Sequence, residues 1–278
     1  MKTLSIGHSP DADDAFMFYG LASGRVAVPG YRVDHVLDDI ETLNRRAHAA
    51  ELDVTAISAA AYPQVQHHYR IMSCGASVGR RYGPIVLARD AMTIADLAGK
   101  RIAVPGPHTT AYLLFRLYVE AEIVPVMMDF DRIMDAVSSG DVDAGIVIHE
   151  GQLTWPSSGL RLVVDLGAAW TEETGLPIPL GLDVVRRGLG GATMDAVARA
   201  LKESILLAHG DEEAAVDYAM RFGRGVDRET CRKFVRMYVN DDTVDMGDDG
   251  RRALETLYGR AVHRGLLATP PNLDILWV

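Results

Sequence analysis

The chain has little cysteine, which excludes two kinds of scaffold. Cys74 and Cys231 are its two cysteines among 278 residues, too few for a disulfide framework or a four-thiolate metal site. Such residues are typical of core thiols in a reducing compartment. Positive charge and aromatic residues are also scarce: 28 Lys and Arg stand against 38 Asp and Glu, and Phe, Trp and Tyr make up 7%. The sequence therefore offers neither a basic face nor a stacking platform for nucleic acid.

Long apolar runs and common catalytic motifs are missing as well. No apolar segment approaches the roughly 20 residues that span a bilayer, and the start, MKTLSIGHSPDADDAF, is acidic where a signal peptide is apolar. We therefore expect a cytoplasmic protein with no membrane partner, either a monomer or a homodimer. The motifs GxxxxGK[ST], GxGxxG, GxSxG and HExxH do not occur, which argues against a phosphate loop, a dinucleotide fold, a hydrolase elbow and a zinc helix. A metal site is disfavoured.

What is present is a regular alternation of apolar strands and helices up to about residue 190. Residues 4–58 follow a β-α-β-α order, the pattern of a mostly parallel sheet. A second cluster of strands runs through residues 89–179, and the helices after residue 191 are interpreted as scaffold. This predicts an α/β chain with two lobes, each a mostly parallel sheet flanked by helices. The larger lobe is discontinuous, 1–88 plus 180–278, the smaller lobe is 89–179, and a hinge lets them enclose a small molecule.

One stretch, residues 142–155 (VDAGIVIHEGQLTW), joins a buried strand to polar residues. The apolar run 144–148 predicts the strand, and His149 and Glu150 follow at its carboxyl end, where open α/β sheets bind ligands. A histidine there suits proton chemistry; the alternative is a histidine that ties down the loop by hydrogen bonds. Neighbouring side chains on an extended strand point to opposite faces, so we do not expect Glu150 to orient the imidazole.

Polar residues also follow two other strands. Asp11 and Asp13 are expected to cap the helix after the first strand, whereas Asp14 lies where a carboxylate can also face a cleft. Thr109 and Thr110 open an apolar helix whose free N–H groups would form an anion site, to which the Thr110 hydroxyl would add one more donor. Both threonines could instead be caps alone.

Two arginines lie in a glycine-rich loop, ASVGRRYG. Arg80 and Arg81 either bind a carboxylate group of the ligand or are solvated. We favour the solvated interpretation for at least one of them.

A family resemblance is carried by six segments: SPDADDAFMFYGL, LDDIETLN, LDVTAISAAAYPQV, GPIVLAR, KRIAVPGPHTTAYLL and AGIVIHEGQLTW. Together they resemble the 1,4-dihydroxy-6-naphthoate synthases, enzymes of the futalosine route to menaquinone. The resemblance covers most of the first 190 residues in order, and the pairing of PGPHTTAYLL with IHEGQLTW is rather specific. The C-terminal helices are similar only in general character.

The resemblance implies a fold and an activity. The fold is a two-lobed one of the periplasmic-binding-protein type II kind, although these enzymes work inside the cell. The activity is that of a lyase that converts cyclic dehypoxanthinylfutalosine to 1,4-dihydroxy-6-naphthoate. A C–C bond breaks as the second ring becomes aromatic, and neither a metal nor an organic cofactor takes part.

The resemblance also implies a set of site residues. His149, in the family's I-H-E-G motif, corresponds to the proton acceptor. The substrate-binding positions correspond to Asp14, Ala56, Ile57, Ser58, Thr110 and Ala111. The chain departs from the family pattern in two places: some members read SPCPND where this chain has SPDADD, and a lysine can occur at the position of Ala56. A substrate contact made by the backbone of that residue would be kept by either side chain.

Other functions fit the same sequence. Chorismate dehydratase of the same pathway shares the fold, and the histidine of IHEG favours the naphthoate synthase over it. A solute-binding protein would bind a small carboxylate without chemistry, but it needs an export signal. A ligand-sensing domain of a transcription regulator would need a DNA-binding helix pair and a basic surface.

Overall fold

The computed structural model describes residues 1–223 and 225–278. In this part of the chain two β-sheets form, one of seven strands and one of five, with helices packed against them. No helix among the described residues is both long and apolar enough to cross a membrane.

The strands follow one another along the chain with these bounds: β1 Lys2–His8, β2 Tyr31–Leu37, β3 Val54–Ser58, β4 Tyr69–Met72, β5 Ser77–Gly79, β6 Ile85–Ala88, β7 Arg101–Val104, β8 Val124–Met127, β9 Ala144–Val147, β10 Arg161–Asp165, β11 Ile178–Arg186 and β12 Ile275–Leu276. The α-helices are α1 Ala12–Met17, α2 Tyr19–Ala22, α3 Ile40–His48, α4 Tyr62–Val65, α5 Thr110–Tyr118, α6 Ile133–Ser139, α7 Gly151–Thr154, α8 Leu166–Thr174, α9 Gly191–Gly210, α10 Glu212–Ala219, α11 Arg228–Tyr238, α12 Asp241–Val244 and α13 Gly247–His263.

The seven-stranded sheet holds the two ends of the chain together. Its order is β12-β4-β11-β3-β1-β2, and β5 pairs with β11. β1 runs parallel to β2 and β3, as the β-α-β-α pattern predicts. The returning strand β11 is inserted antiparallel between β3 and β4. The apolar C-terminus docks on this sheet, where Ile275 and Leu276 pair with Ile71 and Met72.

The five-stranded sheet has the order β10-β6-β9-β7-β8. β7 runs parallel to β8 and β9, and β6 runs antiparallel to β9 and β10. β6 spans Ile85–Ala88, which the expected boundary at residue 88 placed in the larger lobe. Its pairing in this sheet supports a smaller lobe that begins before Ile85.

Helix α9 covers one face of the larger sheet, packed against the helices that follow β1. Ser204 on α9 donates its hydroxyl to the carbonyl of Met17 at 2.7 Å and accepts the N–H of Gly20 at 2.9 Å. A Cβ at Gly20 would lie 2.8 Å from the Cα of Ser204, so the close approach needs glycine. The single helix expected over residues 15–22 is instead two short ones, α1 and α2, joined at Phe18.

Candidate active site

A cleft lies between the two sheets, with a volume of about 720 Å³ that includes space open to solvent. One wall comes from the larger lobe: the turn between β1 and α1, the end of β3, and β11. The other comes from the smaller lobe: the N-terminus of α5 and the residues that follow β9. The carboxyl ends of β1, β3 and β9 therefore meet at the cleft, as expected for a ligand site in an α/β fold.

His149 lies in this cleft, two residues after the end of the fully buried strand β9. Its φ of 53° is in the left-handed region, which non-glycine residues adopt at a cost of about 1–3 kcal/mol. The carbonyl of His149 accepts the N–H of Gln152 at 3.1 Å, which anchors this turn to α7. The imidazole packs on the ring of Phe130, with 4.4 Å between centroids. Its Nε2 atom is buried and has no hydrogen-bond partner among the described residues.

Asp11 is the carboxylate nearest to the other nitrogen of that imidazole. Its Oδ2 atom lies 3.3 Å from Nδ1 of His149, and the residue is 1% exposed. Burial alone would raise the pKa of Asp11, but the neighbouring His149 and a hydrogen bond from Asp13 outweigh it, so the pKa lies below its usual range. Asp11 also caps α1, with Oδ1 accepting the N–H of Asp14 at 3.3 Å. The prediction of capping is confirmed for Asp11, although it left out the contact with His149. It is wrong for Asp13, which lies inside the first turn of α1.

Asp13 and Asp14 complete an acidic group at the same turn, and both line the cleft. Burial, together with the negative charge of nearby carboxylates, raises the pKa of each well above its usual range. The N–H of Ser9 donates to Oδ2 of Asp14 at 2.6 Å, which opposes that rise for Asp14. Because the two carboxyls retain protons to higher pH than exposed ones, the turn carries less negative charge than its sequence suggests.

Three of these residues are close enough to hold a cation. Asp11, Asp13 and His149 each offer one ligand atom, and the three atoms lie within 4.8 Å of one another. Carboxylate oxygen with imidazole nitrogen is a donor set that divalent metals accept. The sequence disfavoured a metal site because these residues form no spacing motif. The fold brings them together from the two lobes.

Ser58 lies on the opposite wall, at the end of β3, where the sequence placed it. Asn44 on α3 holds it from two sides: its amide donates to Oγ of Ser58 at 3.1 Å and accepts the N–H of Ser58 at 2.8 Å. The hydroxyl oxygen is thus an acceptor in this pair, and its proton remains available to a ligand. Ala56 and Ile57, on the same strand, also line the cleft.

The N-terminus of α5 points its first peptide groups at the cleft. Thr109 is the N-cap, and its hydroxyl accepts the N–H of Tyr112 at 3.3 Å. Among the described residues no backbone carbonyl accepts the N–H of Thr110 or Ala111. These two free donors lie at the positive end of a helix and would suit an anion, which is what the sequence led us to expect there.

The hydroxyl of Thr110, by contrast, is already used. It donates to the carbonyl of Leu180 at 2.6 Å and accepts the N–H of Ala60 at 3.1 Å. Leu180 belongs to β11 and Ala60 follows β3, so this hydroxyl ties the smaller lobe to the larger one. The expectation that the side chain of Thr110 donates to a ligand is therefore corrected to its backbone N–H.

The C-terminal helices contribute residues to the cleft that the sequence did not indicate. Phe234 and Tyr238 on α11 line it, and the hydroxyl of Tyr238 donates to Oε1 of Gln152 at 2.6 Å. Helical periodicity alone identified α11 as an amphipathic helix and gave no sign of what its buried face meets. The interpretation of these helices as scaffold was incomplete.

Neither arginine of the glycine-rich loop reaches the cleft. Arg80 forms a two-point ion pair with Asp242, at 2.7 and 2.8 Å, and Arg81 is exposed. Among the described residues that line the cleft there is no lysine or arginine. A carboxylate bound there must be met by hydrogen-bond donors of the backbone and of uncharged side chains.

Comparison with known proteins identifies the family of this chain. A family model described as menaquinone biosynthesis matches residues 4–263. The chain belongs to this family. It is 43% identical to the 1,4-dihydroxy-6-naphthoate synthase of Thermus thermophilus over 272 residues, covering 98% of each chain. It is 42% identical to the enzyme of the same name from Streptomyces coelicolor, covering 95% of each. The resemblance stated from six sequence segments is confirmed.

Two solved structures have a similar fold. Protein AF1704 of Archaeoglobus fulgidus is 49% identical, with a TM-score of 0.91 over 95% of this chain and 98% of that one. The alkanesulfonate-binding protein SsuA of Xanthomonas axonopodis, solved with MOPS, is only 15% identical but has a TM-score of 0.74 over 100% of this chain and 99% of its own. At this identity the similarity to SsuA concerns the fold alone. The expected periplasmic-binding-protein-like α/β architecture is confirmed.

Proposed function

We propose that this protein is a cytoplasmic lyase of the futalosine route that converts cyclic dehypoxanthinylfutalosine to 1,4-dihydroxy-6-naphthoate, with His149 as the proton acceptor. The observation that carries the proposal is the position of His149: a cleft histidine at the carboxyl end of β9 whose Nε2 atom has no partner among the described residues. The names of the relatives from T. thermophilus and S. coelicolor support the product.

Substrate binding follows from the donors that each wall offers. The substrate carries a benzoate carboxylate, and the free N–H groups of Thr110 and Ala111 at the positive end of α5 suit an anion. Its hydroxyl groups can accept from the hydroxyl of Ser58 or donate to the buried carboxyl of Asp14. The apolar side chain of Ile57 would contact the aromatic ring.

Catalysis then needs one proton transfer in a closed cleft. Neutral His149 takes a proton from the bound substrate, and the released electron pair drives cleavage of the C–C bond. A small polyol fragment leaves, and formation of the second aromatic ring in the other fragment favours the product. A base placed in this way contributes about 10²–10⁴-fold to the rate. Closure of the lobes would exclude water and bring His149 and Ser58 to the same ligand.

The decisive experiment replaces His149 by asparagine. We expect His149→Asn to bind the substrate with a Kd within a few-fold of the wild-type value, measured by calorimetry, because asparagine keeps a polar side chain in the cleft. We expect kcat to fall by at least about 100-fold, since the base is lost. The exposed His67 provides a matched control, and His67→Asn should leave both quantities unchanged.

Three results would argue for another function. Near-wild-type turnover by His149→Asn would remove the proton-acceptor role. A tight complex in which the wild-type protein leaves the substrate intact would indicate a binding protein without chemistry. Conversion of chorismate to its enolpyruvyl-derived product would identify the dehydratase of the same pathway.

A further inference from the structure

Asp13 and Asp11 of the larger lobe lie next to His149 of the smaller lobe. A carboxylate oxygen of Asp13 lies within 4.8 Å of one of Asp11, and Oδ2 of Asp11 lies 3.3 Å from Nδ1 of His149. We propose that Asp11 is a positioning residue that fixes the imidazole of His149 with its proton on Nδ1, so that Nε2 is the nitrogen that accepts the proton of the substrate. This inference rests on the proposed role of His149 as the base.

The choice of nitrogen follows from hydrogen-bonding capacity. A neutral imidazole has one N–H donor and one acceptor nitrogen, whereas an ionised carboxylate only accepts. With Oδ2 of Asp11 at 3.3 Å from Nδ1, the favourable tautomer places the proton on Nδ1, facing the carboxylate. Nε2 then carries the lone pair, and no described residue donates to it. The nitrogen left without a protein partner is thus the one suited to take a proton.

Both members of the pair are held in place by other contacts. Asp11 is 1% exposed, and its Oδ1 atom accepts the N–H of Asp14 at the start of α1, which leaves Oδ2 for the histidine. The imidazole is supported by the ring of Phe130, and the left-handed backbone of His149 fixes the direction in which the side chain leaves the chain. The ring orientation is therefore set by packing as well as by charge.

The charge of the pair suits a base that becomes cationic. The pKa of Asp11 is lowered in spite of its burial, mainly by the adjacent His149, while that of Asp13 is raised well above its usual range by burial and by the charge of Asp11. Of the carboxyls at this turn, Asp11 therefore ionises at the lowest pH. An ionised carboxylate at Nδ1 stabilises the imidazolium that forms once His149 has taken a proton.

The test replaces Asp11 by asparagine, which is also a good N-cap and should preserve α1. Nitrogen NMR of protein labelled at its histidines reports the tautomer directly. For the wild-type protein we expect the neutral ring of His149 to carry its proton on Nδ1, and for Asp11→Asn a shift of population towards the Nε2–H form. We expect kcat to fall by about 10- to 100-fold with little change in KM, because the ring is present but less often in the competent form.

Asp165 gives a control for helix capping alone. It caps α8, accepting the N–H of Ala168 at 2.9 Å, and does not line the cleft. Asp165→Asn should therefore leave both the tautomer of His149 and kcat unchanged. If Asp165→Asn lowered kcat as much as Asp11→Asn, the effect would be one of stability and the proposal would be wrong.

Other outcomes also decide the matter. A wild-type ring with its proton on Nε2, or an Asp11→Asn protein with wild-type tautomer and kcat, would overturn the proposal. So would a stoichiometric metal in the purified protein, measured by elemental analysis, if adding a chelator changed the nitrogen signals of His149, because a cation between Asp11, Asp13 and His149 would replace the Nδ1 proton. If instead His149→Asn kept full activity while the tautomer was as expected, the base assignment alone would fail.

Discussion

Ser58, a proposed ligand contact, is held in place by a single neighbouring side chain, that of Asn44. Because Asn44 fixes both the N–H and the Oγ atom of Ser58, the hydroxyl can present its proton without losing rotamer freedom on binding. We expect Ser58→Ala to raise KM by about 5-fold with kcat nearly unchanged. The lost hydrogen bond is worth roughly 1 kcal/mol and would be made equally in the bound substrate and the transition state. Steady-state kinetics check this.

A serine that does not line the cleft provides the control for Ser58→Ala. Ser157 is exposed and bonds only to the carbonyl of Thr154, at 2.8 Å. Ser157→Ala should show wild-type kinetics. A fall in kcat without a change in KM for Ser58→Ala would mean that the hydroxyl acts in the chemical step and not in binding.

At the level of single residues, the chemistry of the side chains indicated candidate site residues. A contact was missed where one residue has two roles and its sequence context shows only one of them. His149 and Ser58 follow buried strands, and that position alone indicates a cleft. Asp11 has the sequence signature of a helix cap, and a cap is what it is; nothing local shows that its second oxygen meets a histidine of the other lobe. The hydroxyl of Thr110 was misassigned for a related reason, because its partners Leu180 and Ala60 are distant in the chain.

Helix α5 matters as an element because it connects the lobes through one hydroxyl. Thr110→Val keeps the shape of the side chain but leaves the carbonyl of Leu180 and the N–H of Ala60 without this partner. We expect the free energy of unfolding to fall by about 1–3 kcal/mol, measured by denaturant titration, since both bonds are partly buried. Thr109→Ala, which removes the N-cap of the same helix, should cost about 1 kcal/mol and serves as the reference.

If Thr110→Val were as stable as the wild-type protein, the connection between the lobes would be of no energetic importance. A parallel measurement of substrate affinity is informative, because the anion site uses backbone N–H groups that valine retains. We therefore expect the free energy of substrate binding, obtained from the Kd, to change much less than the free energy of unfolding does.

Long helices and buried strands could be predicted from the sequence, whereas very short strands could not. The long helices α9, α11 and α13 and the buried strands β1, β3 and β9 follow from periodicity and apolar runs. β5 and β12 have three and two residues, too few to show an alternation, and they exist because the neighbouring strands β11 and β4 offer free edges. The break between α1 and α2 depends on packing against α9, which lies far along the chain.

For the molecule as a whole, a buried acid on the returning strand links stability to pH. Asp183 on β11 is 1% exposed, neither of its carboxyl oxygens has a partner among the described residues, and burial raises its pKa well above the usual range. As pH rises above about 4, the unfolded chain releases this proton first, so the free energy of unfolding falls. The wild-type protein should thus lose stability between pH 4 and neutrality through this group.

Asp183→Asn removes the ionisation but keeps the shape. We expect the variant to be more stable than the wild-type protein at pH 7 by at least about 1 kcal/mol, and the difference to shrink as the pH is lowered to 4. Denaturant titrations at several pH values measure it. The exposed Asp195 gives the control, and Asp195→Asn should stay within about 0.5 kcal/mol throughout. A difference that is constant with pH would mean that Asp183 is ionised in the folded protein.

The contact between Asp11 and His149 has one more consequence, because the two residues belong to different halves of the molecule. A rotation that widened the gap between the sheets would draw the carboxylate away from the ring and leave the imidazole free to change tautomer. The proton acceptor would then be fully assembled only while a ligand is enclosed, and the open form would be chemically idle. Reactive intermediates would meet a working base only after bulk water had been shut out.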